Sequence, residues 1–130
     1  MARFSALSRE RLGTCDERLQ KVFYEVIKHF DCTILEGYRS EALQNLYVAQ
    51  GKSRIKWPNG KHNSLPSKAV DAIPFPVDWD DVNRICYFAG YVMATALSMG
   101  IKLIWGKDWD GDTDLNDQTF RDGPHYQLMD

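Results

Sequence analysis

Apolar positions along this chain fall into two rhythms, and their alternation predicts the order of elements. Leu19, Val22, Phe23, Val26, Ile27 and Phe30 recur three and four residues apart, which predicts an amphipathic helix over 16–30 with Asp16 as its N-cap. Residues 32–35 form a short apolar run with β-branched members and Gly37 close behind, the pattern of a buried strand. A second helix is predicted from about Ser40 to before Gly51, with Leu43, Leu46 and Tyr47 facing inward and the glycine as its stop. Residues 51–66 are polar, basic and broken by Pro58, Gly60 and Pro66, so they read as a loop long enough to be functional. Residues 69–75 read as a strand carrying Asp71, limited at its far end by Pro74 and Pro76.

The clearest helix is predicted over 80–99. Val82, Ile85, Phe88, Ala89, Val92, Met93, Ala96 and Leu97 form its apolar face, and Gly100 ends it. Residues 101–105 and 125–129 read as strands flanking an acidic loop at 107–122. Helices and strands mixed in this way predict an α+β fold, a small and largely antiparallel sheet with helices packed on it.

At 130 residues the chain is expected to form a single domain over 1–130 with a real core. A net charge of -2 provides no basic field for nucleic acid, and no apolar run approaches a membrane span. The first residues lack the apolar core of a secretory signal. Cys15, Cys32 and Cys86 are odd in number and widely spaced, which fits buried thiols in a reducing cytoplasm rather than a disulfide framework.

The histidines carry the candidate chemistry. His62 precedes Asp71 across HNSLPSKAVD, and His125 closes DGPHYQL with Asp122 three residues before it. Two imidazoles and one carboxylate suffice to hold zinc with one coordination position open, and a spare carboxylate nearby can move protons. Each residue also has an ordinary reading: a lone histidine is more often a surface or core residue, and Asp122 ahead of Gly123 and Pro124 suits a turn. A carboxylate at Asp71, amid apolar neighbours, needs a partner. His29, near the end of a predicted helix, suits the helix dipole and not a metal. The run KDWDGDTDLND is not an EF-hand: counted from Asp108 or Asp110, the sixth and twelfth positions are Thr113 and Thr119, or Leu115 and Arg121. It reads as a solvated acidic loop with at most weak, adventitious cation binding. The basic segment GKSRIKWPNGK reads as a solvated loop, with contact to an anionic polymer as the alternative.

The segments GKHNSLPSKAVDAIPFP and DGPHYQL, in this order, resemble the S-x-H…G-x-A-x-D…D/E-x-x-H pattern of the D-alanyl-D-alanine carboxypeptidase-like zinc peptidases. FDCTILEGYRS, KWPNGKH and IWGKDWDGDTD are similar to a phage-encoded endolysin branch of that family, and the resemblance runs from about Ser8 to Leu128. It implies the α+β fold shared with hedgehog signalling domains. It also implies that His62, Asp71 and His125 bind zinc, that Asp122 is the catalytic acid/base and that Arg39 stabilises the oxyanion. The implied substrate is bacterial peptidoglycan, cut between L-alanine and D-glutamate. A D-alanyl-D-alanine carboxypeptidase and a non-catalytic wall- or tail-binding module are the alternatives. The implied life history is synthesis in the host cytoplasm and release to the wall by a holin; the chain is expected to be a monomer.

This chain departs from the pattern in four ways. Gly60 replaces the serine of S-x-H, the spacer from His62 to Asp71 is two residues longer than usual, Ser67 replaces its glycine, and Gln127 replaces a glutamate. The longer spacer predicts a bulged loop whose ends still reach one point.

Overall fold

The computed structural model describes residues 2–117 and 122–130. The last part of the predicted acidic loop, including Thr119 and Arg121, therefore lies outside the described residues. In chain order the elements are α1 (Ala6–Leu12), α2 (Glu17–Val26), β1 (Cys32–Glu36), α3 (Glu41–Ala49), β2 (Ala69–Pro74), α4 (Val82–Ser98), β3 (Leu103–Trp105) and β4 (His125–Leu128). Short 3-10 turns occupy Lys61–Asn63 and Leu115–Asp117. The strands form one antiparallel sheet in the order β1-β2-β4-β3, which agrees with the α+β expectation.

Side-chain alternation divides the sheet into two faces. Val70 and Ala72 of β2 and Tyr126 and Leu128 of β4 point into the core, where they are almost wholly buried. There the Tyr126 ring meets Phe23 of α2 and Phe88 of α4 edge-on at 5.6 and 6.4 Å. Asp71, His125 and Gln127 occupy the alternate positions and look out from the other face. Burying the first face against α2 and α4 fixes the strand register, because a one-residue slip would exchange the faces.

The helix α1 has no apolar stripe to announce it, and the periodicity reading assigned nothing there. Its role is to cover the open edge of the sheet. The Ser8 hydroxyl accepts from the Ile34 amide at 3.1 Å, and Arg11 Nη1 donates to the Ile34 carbonyl at 3.1 Å. Backbone groups that an edge strand leaves unpaired are thereby occupied. Ser5 caps this helix, accepting from the Ser8 amide.

Several predicted boundaries shift for identifiable reasons. The first predicted helix ends at Val26 and not at Phe30; the Phe30 ring instead packs on α4, 5.1 Å from Phe88. The strand predicted from 101 starts at Leu103, because the Ile101 amide is spent on the Ala96 carbonyl at the end of α4. Leu97 is 79% exposed because it lies about 100° around α4 from Ala96, off the buried row of Ile85, Phe88, Ala89 and Val92. In α3 the buried residue is Gln44, and Leu46 is solvent-exposed.

Candidate metal and catalytic site

The sheet register itself begins the site. Asp71 on β2 stands opposite His125 on β4, and a bulge in β1 between Ile34 and Glu36 brings Glu36 opposite Asp71 from the other side. Three polar residues thus lie abreast across three strands. His62 arrives from the loop before β2. The longer spacer is absorbed as an excursion closed at its neck, where the Lys68 amide donates to the Lys61 carbonyl at 2.9 Å. Ser67 is fully buried at this neck, with its hydroxyl donating to the Ala69 carbonyl at 2.6 Å and its amide to the Thr14 carbonyl at 2.8 Å.

His62 Nε2 and His125 Nδ1 lie 3.1 and 3.2 Å from Asp71 Oδ1 and 3.3 Å from each other. The outer nitrogens decide what this cluster can do. His62 Nδ1 is 2.7 Å from the Gly37 carbonyl, and His125 Nε2 is 2.8 Å from Gln127 Oε1. Both oxygens are acceptors only, so each outer nitrogen carries a proton, and loss of any second proton leaves the inner nitrogen bare. The inner nitrogens then present lone pairs, and these converge with a carboxylate oxygen on one point. Three acceptors with no proton among them fit a cation. His62, Asp71 and His125 form a candidate metal site, and their partners supply the outer hydrogen bonds that metal-ligating histidines need. Burial opposes ionisation of Asp71, but the positive charge and hydrogen bonds that His62 and His125 offer when protonated override it and hold the carboxyl well below the usual carboxylate range.

Asp122 and Arg39 line the same cleft, which encloses about 990 Å³. Asp122 is placed by Gly106: the Asp122 amide donates to the Gly106 carbonyl at 2.7 Å, and Gly106 N–H donates to the His125 carbonyl at 2.8 Å. A Cβ at Gly106 would strike the Asp122 carbonyl, so only glycine allows this approach. Burial, and then the nearby Asp71 charge, push the Asp122 carboxyl up, against the opposing pull of His125, His62 and Arg39. A carboxyl raised in this way is suited to hold and release a proton.

Arg39 is held on three sides. Its Nε forms an ion pair with Glu36, its Nη2 lies 3.7 Å from Asp71 Oδ2, and its Nη1 donates to Gln44 Oε1 at 3.0 Å. Its backbone amide donates to the His62 carbonyl at 2.7 Å, which ties the arginine to the metal-site loop. Gln44, almost wholly buried, uses its whole amide: Oε1 also accepts from Asn63 at 3.1 Å, and Nε2 donates to Ser53 Oγ and the Ile55 carbonyl.

The sequence profile of the phage L-alanyl-D-glutamate peptidases matches residues 1–129. The chain belongs to that family. It is 30% identical to the L-alanyl-D-glutamate peptidase of Escherichia phage T5, and the alignment covers 98% of each protein. It also superposes with a TM-score of 0.78 on the crystal structure of the L-Ala D-Glu endopeptidase ChiX of Serratia marcescens. That pair is 29% identical, and the match covers 96% of this chain and 88% of the other. Membership of a peptidase family makes the chain a peptidase.

Against this family background the Gly60 departure has a local cause. The Gly60 amide donates to Asn63 Oδ1 at 2.8 Å, and a Cβ at position 60 would sit only 2.6 Å from that oxygen. Asn63 is locked by its bonds to Gln44 and the Arg39 carbonyl, so it has no room to yield. Gly60 and Asn63 therefore go together.

Reading the sequence missed Gln44, Asn63, Glu36 and Trp109. The Trp109 ring lies 5.3 Å from that of His125 over the cleft. Gln44 had a signal: it is a polar residue between Leu43 and Tyr47 on the predicted inner face of a helix. The basic segment read as a solvated loop turns out to build a wall of the cleft through Lys52, Arg54, Ile55 and Lys61. His29 is exposed and packs near Tyr91, away from the cleft. In the acidic loop, Asp108, Asp110 and Asp112 group together, with Gly111 and Thr113 in left-handed backbone conformations. Among the described residues, no helix is long and apolar enough to cross a membrane.

Proposed function

We propose that this chain is a zinc peptidase that cuts the L-alanyl–D-glutamyl bond of peptidoglycan stem peptides and serves host lysis in a phage cycle. The observation that carries the reading is the convergence of two imidazole lone pairs and one carboxylate oxygen in a cleft that also holds Asp122 and Arg39. His62, Asp71 and His125 would hold zinc through Nε2, Oδ1 and Nδ1. Zinc in that position supplies Lewis acidity toward a carbonyl and toward water.

The chain's own residues do the rest. Asp122, whose carboxyl is raised by burial, takes a proton from the attacking water and delivers it to the leaving D-glutamyl nitrogen. Arg39 offers charge-assisted hydrogen bonds to the scissile oxygen as negative charge develops there, and its three anchors preorganise it for that task. Glu36 and Gln44 orient this arginine without touching the reacting atoms.

Purified protein incubated with isolated cell walls, before and after chelation and with elemental analysis, tests the reading. About one zinc per chain and turbidity loss abolished by chelator are expected. Mass analysis should find new D-glutamyl amino termini. Release of free D-alanine without stem cleavage would identify a carboxypeptidase instead, and lysis that survives metal removal would end the zinc mechanism.

A further inference from the structure

The cleft is lined by four cations, Arg39, Lys52, Arg54 and Lys61; the proposed chemistry uses only Arg39, and Arg54 is engaged within the fold. Arg39 is matched by Glu36 and Asp71, and Lys61 Nζ is engaged by the Asp130 carbonyl. Lys52 is exposed on the cleft wall, and among the described residues it makes no ion pair.

Lys52 is nevertheless fixed in place. The end of α3 is a Schellman turn: the Lys52 amide bonds the Tyr47 carbonyl at 2.9 Å, the Gly51 amide bonds Val48 at 3.1 Å, and Gly51 has φ of 75°. The next residues are pinned from within, because the buried Gln44 amide reaches Ser53 Oγ at 3.0 Å and the Ile55 carbonyl at 2.5 Å. The Lys52 ammonium lies 5.5 Å from the Tyr47 ring centroid, and the Arg39 guanidinium carbon lies 4.7 Å from the same centroid. Tyr47 thus contacts both cations, and Lys52 adds a positive charge to the lining of the cleft that holds Arg39.

The substrate has an anion to match. In an L-alanyl–D-glutamyl unit that continues through the glutamyl side chain, the carbon bonded to the scissile nitrogen also carries a free α-carboxylate. The amino side of the alanine, acylated by the glycan lactyl group, offers no charge. We propose that Lys52 is a specificity determinant that binds the D-glutamyl α-carboxylate, so the enzyme favours stem peptides with that group ionised over stem peptides in which it is amidated. This inference rests on the L-alanyl–D-glutamyl peptidase reading above.

The test compares kcat/KM on two synthetic muropeptides that are identical except for D-glutamate or D-isoglutamine at the second position. A partly exposed charge pair predicts about a three- to fivefold preference for the carboxylate, expressed mainly in KM. In Lys52→Met the preference collapses to within about twofold through loss of carboxylate binding, and Lys52→Arg retains most of it. Lys28→Met removes a surface cation on the turn after α2 and keeps the parent ratio. Equal cleavage of both peptides by the parent enzyme, or an undiminished preference in Lys52→Met, overturns the proposal. Failure of the parent enzyme to cleave either peptide at the alanyl–glutamyl bond overturns the underlying activity as well.

Discussion

His125 Nε2 donates a 2.8 Å hydrogen bond to Gln127 Oε1, two residues further along the same face of β4. That bond fixes which imidazole nitrogen is left to face Asp71 and His62. An amide carbonyl does this without adding charge, so the chain keeps the orienting function of the glutamate common in related sequences and drops its negative charge. Gln127→Leu should therefore lower zinc affinity about ten- to a hundredfold with little change in melting temperature. Competition against a chromophoric chelator measures it, and Gln127→Glu should bind at least as tightly as the parent.

Asp122 lies beside the three candidate ligands but is not one of them. Its replacement should separate metal binding from chemistry. Asp122→Asn keeps the shape and the backbone bonds to Gly106 while removing the proton carrier. Zinc content should stay near one per chain, and wall-lytic activity should fall about 10²- to 10⁴-fold. An Asp122→Asn protein that keeps its metal and lyses walls at the parent rate would remove Asp122 from the mechanism.

Gln44 joins Arg39 to the loop that walls the cleft. Gln44→Met keeps the volume but takes this partner from Arg39 Nη1 and the Ile55 carbonyl and leaves Asn63 Nδ2 with the Arg39 carbonyl alone. Loss of these bonds should cost about 1–3 kcal/mol in denaturant unfolding. Activity should fall mainly in kcat, because a loosened Arg39 loses an interaction made as charge develops. Gln44→Glu keeps the acceptor for Arg39 and should recover part of kcat, which a purely structural role for Gln44 would not predict.

The parts of this protein that could be read from its sequence are those set by periodic burial. The stripe from Ile85 to Ala96 announced α4, and the strand read over 125–129 is β4. The five candidate residues were legible because their motifs stand in a fixed order, yet no spacing rule could show that Asp71 stands opposite His125, which is a property of sheet register. What escaped was held by polar contacts. The helix α1 owes its place to Ser8 and Arg11 on the edge of β1, and α3 turns Gln44 inward because Arg39 and Asn63 need an acceptor there. Hydrophobic patterning carries no record of such bonds.

The cysteines make a chemical prediction. Cys15 and Cys32 are buried, and desolvation pushes both thiols up to about 12. A thiol held that far above neutrality contributes almost no thiolate, so neither should react with an aromatic disulfide reagent in the native protein at pH 8. Cys86, which is partly accessible, should be the only one modified. Mass spectrometry after brief labelling reads the stoichiometry, and all three should react once the chain is unfolded.

Asp16 ties the acid stability of the fold to its sequence. It caps α2 by accepting from the Arg18 amide at 2.9 Å, and it also pairs with the Arg18 side chain and with Lys68 just before β2. The hydrogen bonds from Arg18 outweigh the opposing effect of burial and, with Lys68, hold the Asp16 carboxyl well below its usual range. A depressed folded-state value means that the charged form stabilises the fold. That contribution is complete above the unfolded value near 3.9 and disappears as pH falls through the lower folded value. Asp16→Ala should accordingly lose about 1 kcal/mol at neutral pH, the usual worth of an N-cap. The gap between parent and variant should narrow as the pH drops below about 4, since protonation weakens the same contacts in the parent. Thermal unfolding followed by circular dichroism from pH 7 to pH 2 measures both, and a gap that widens on acidification would mean that the carboxylate does not stabilise α2 as its charged form.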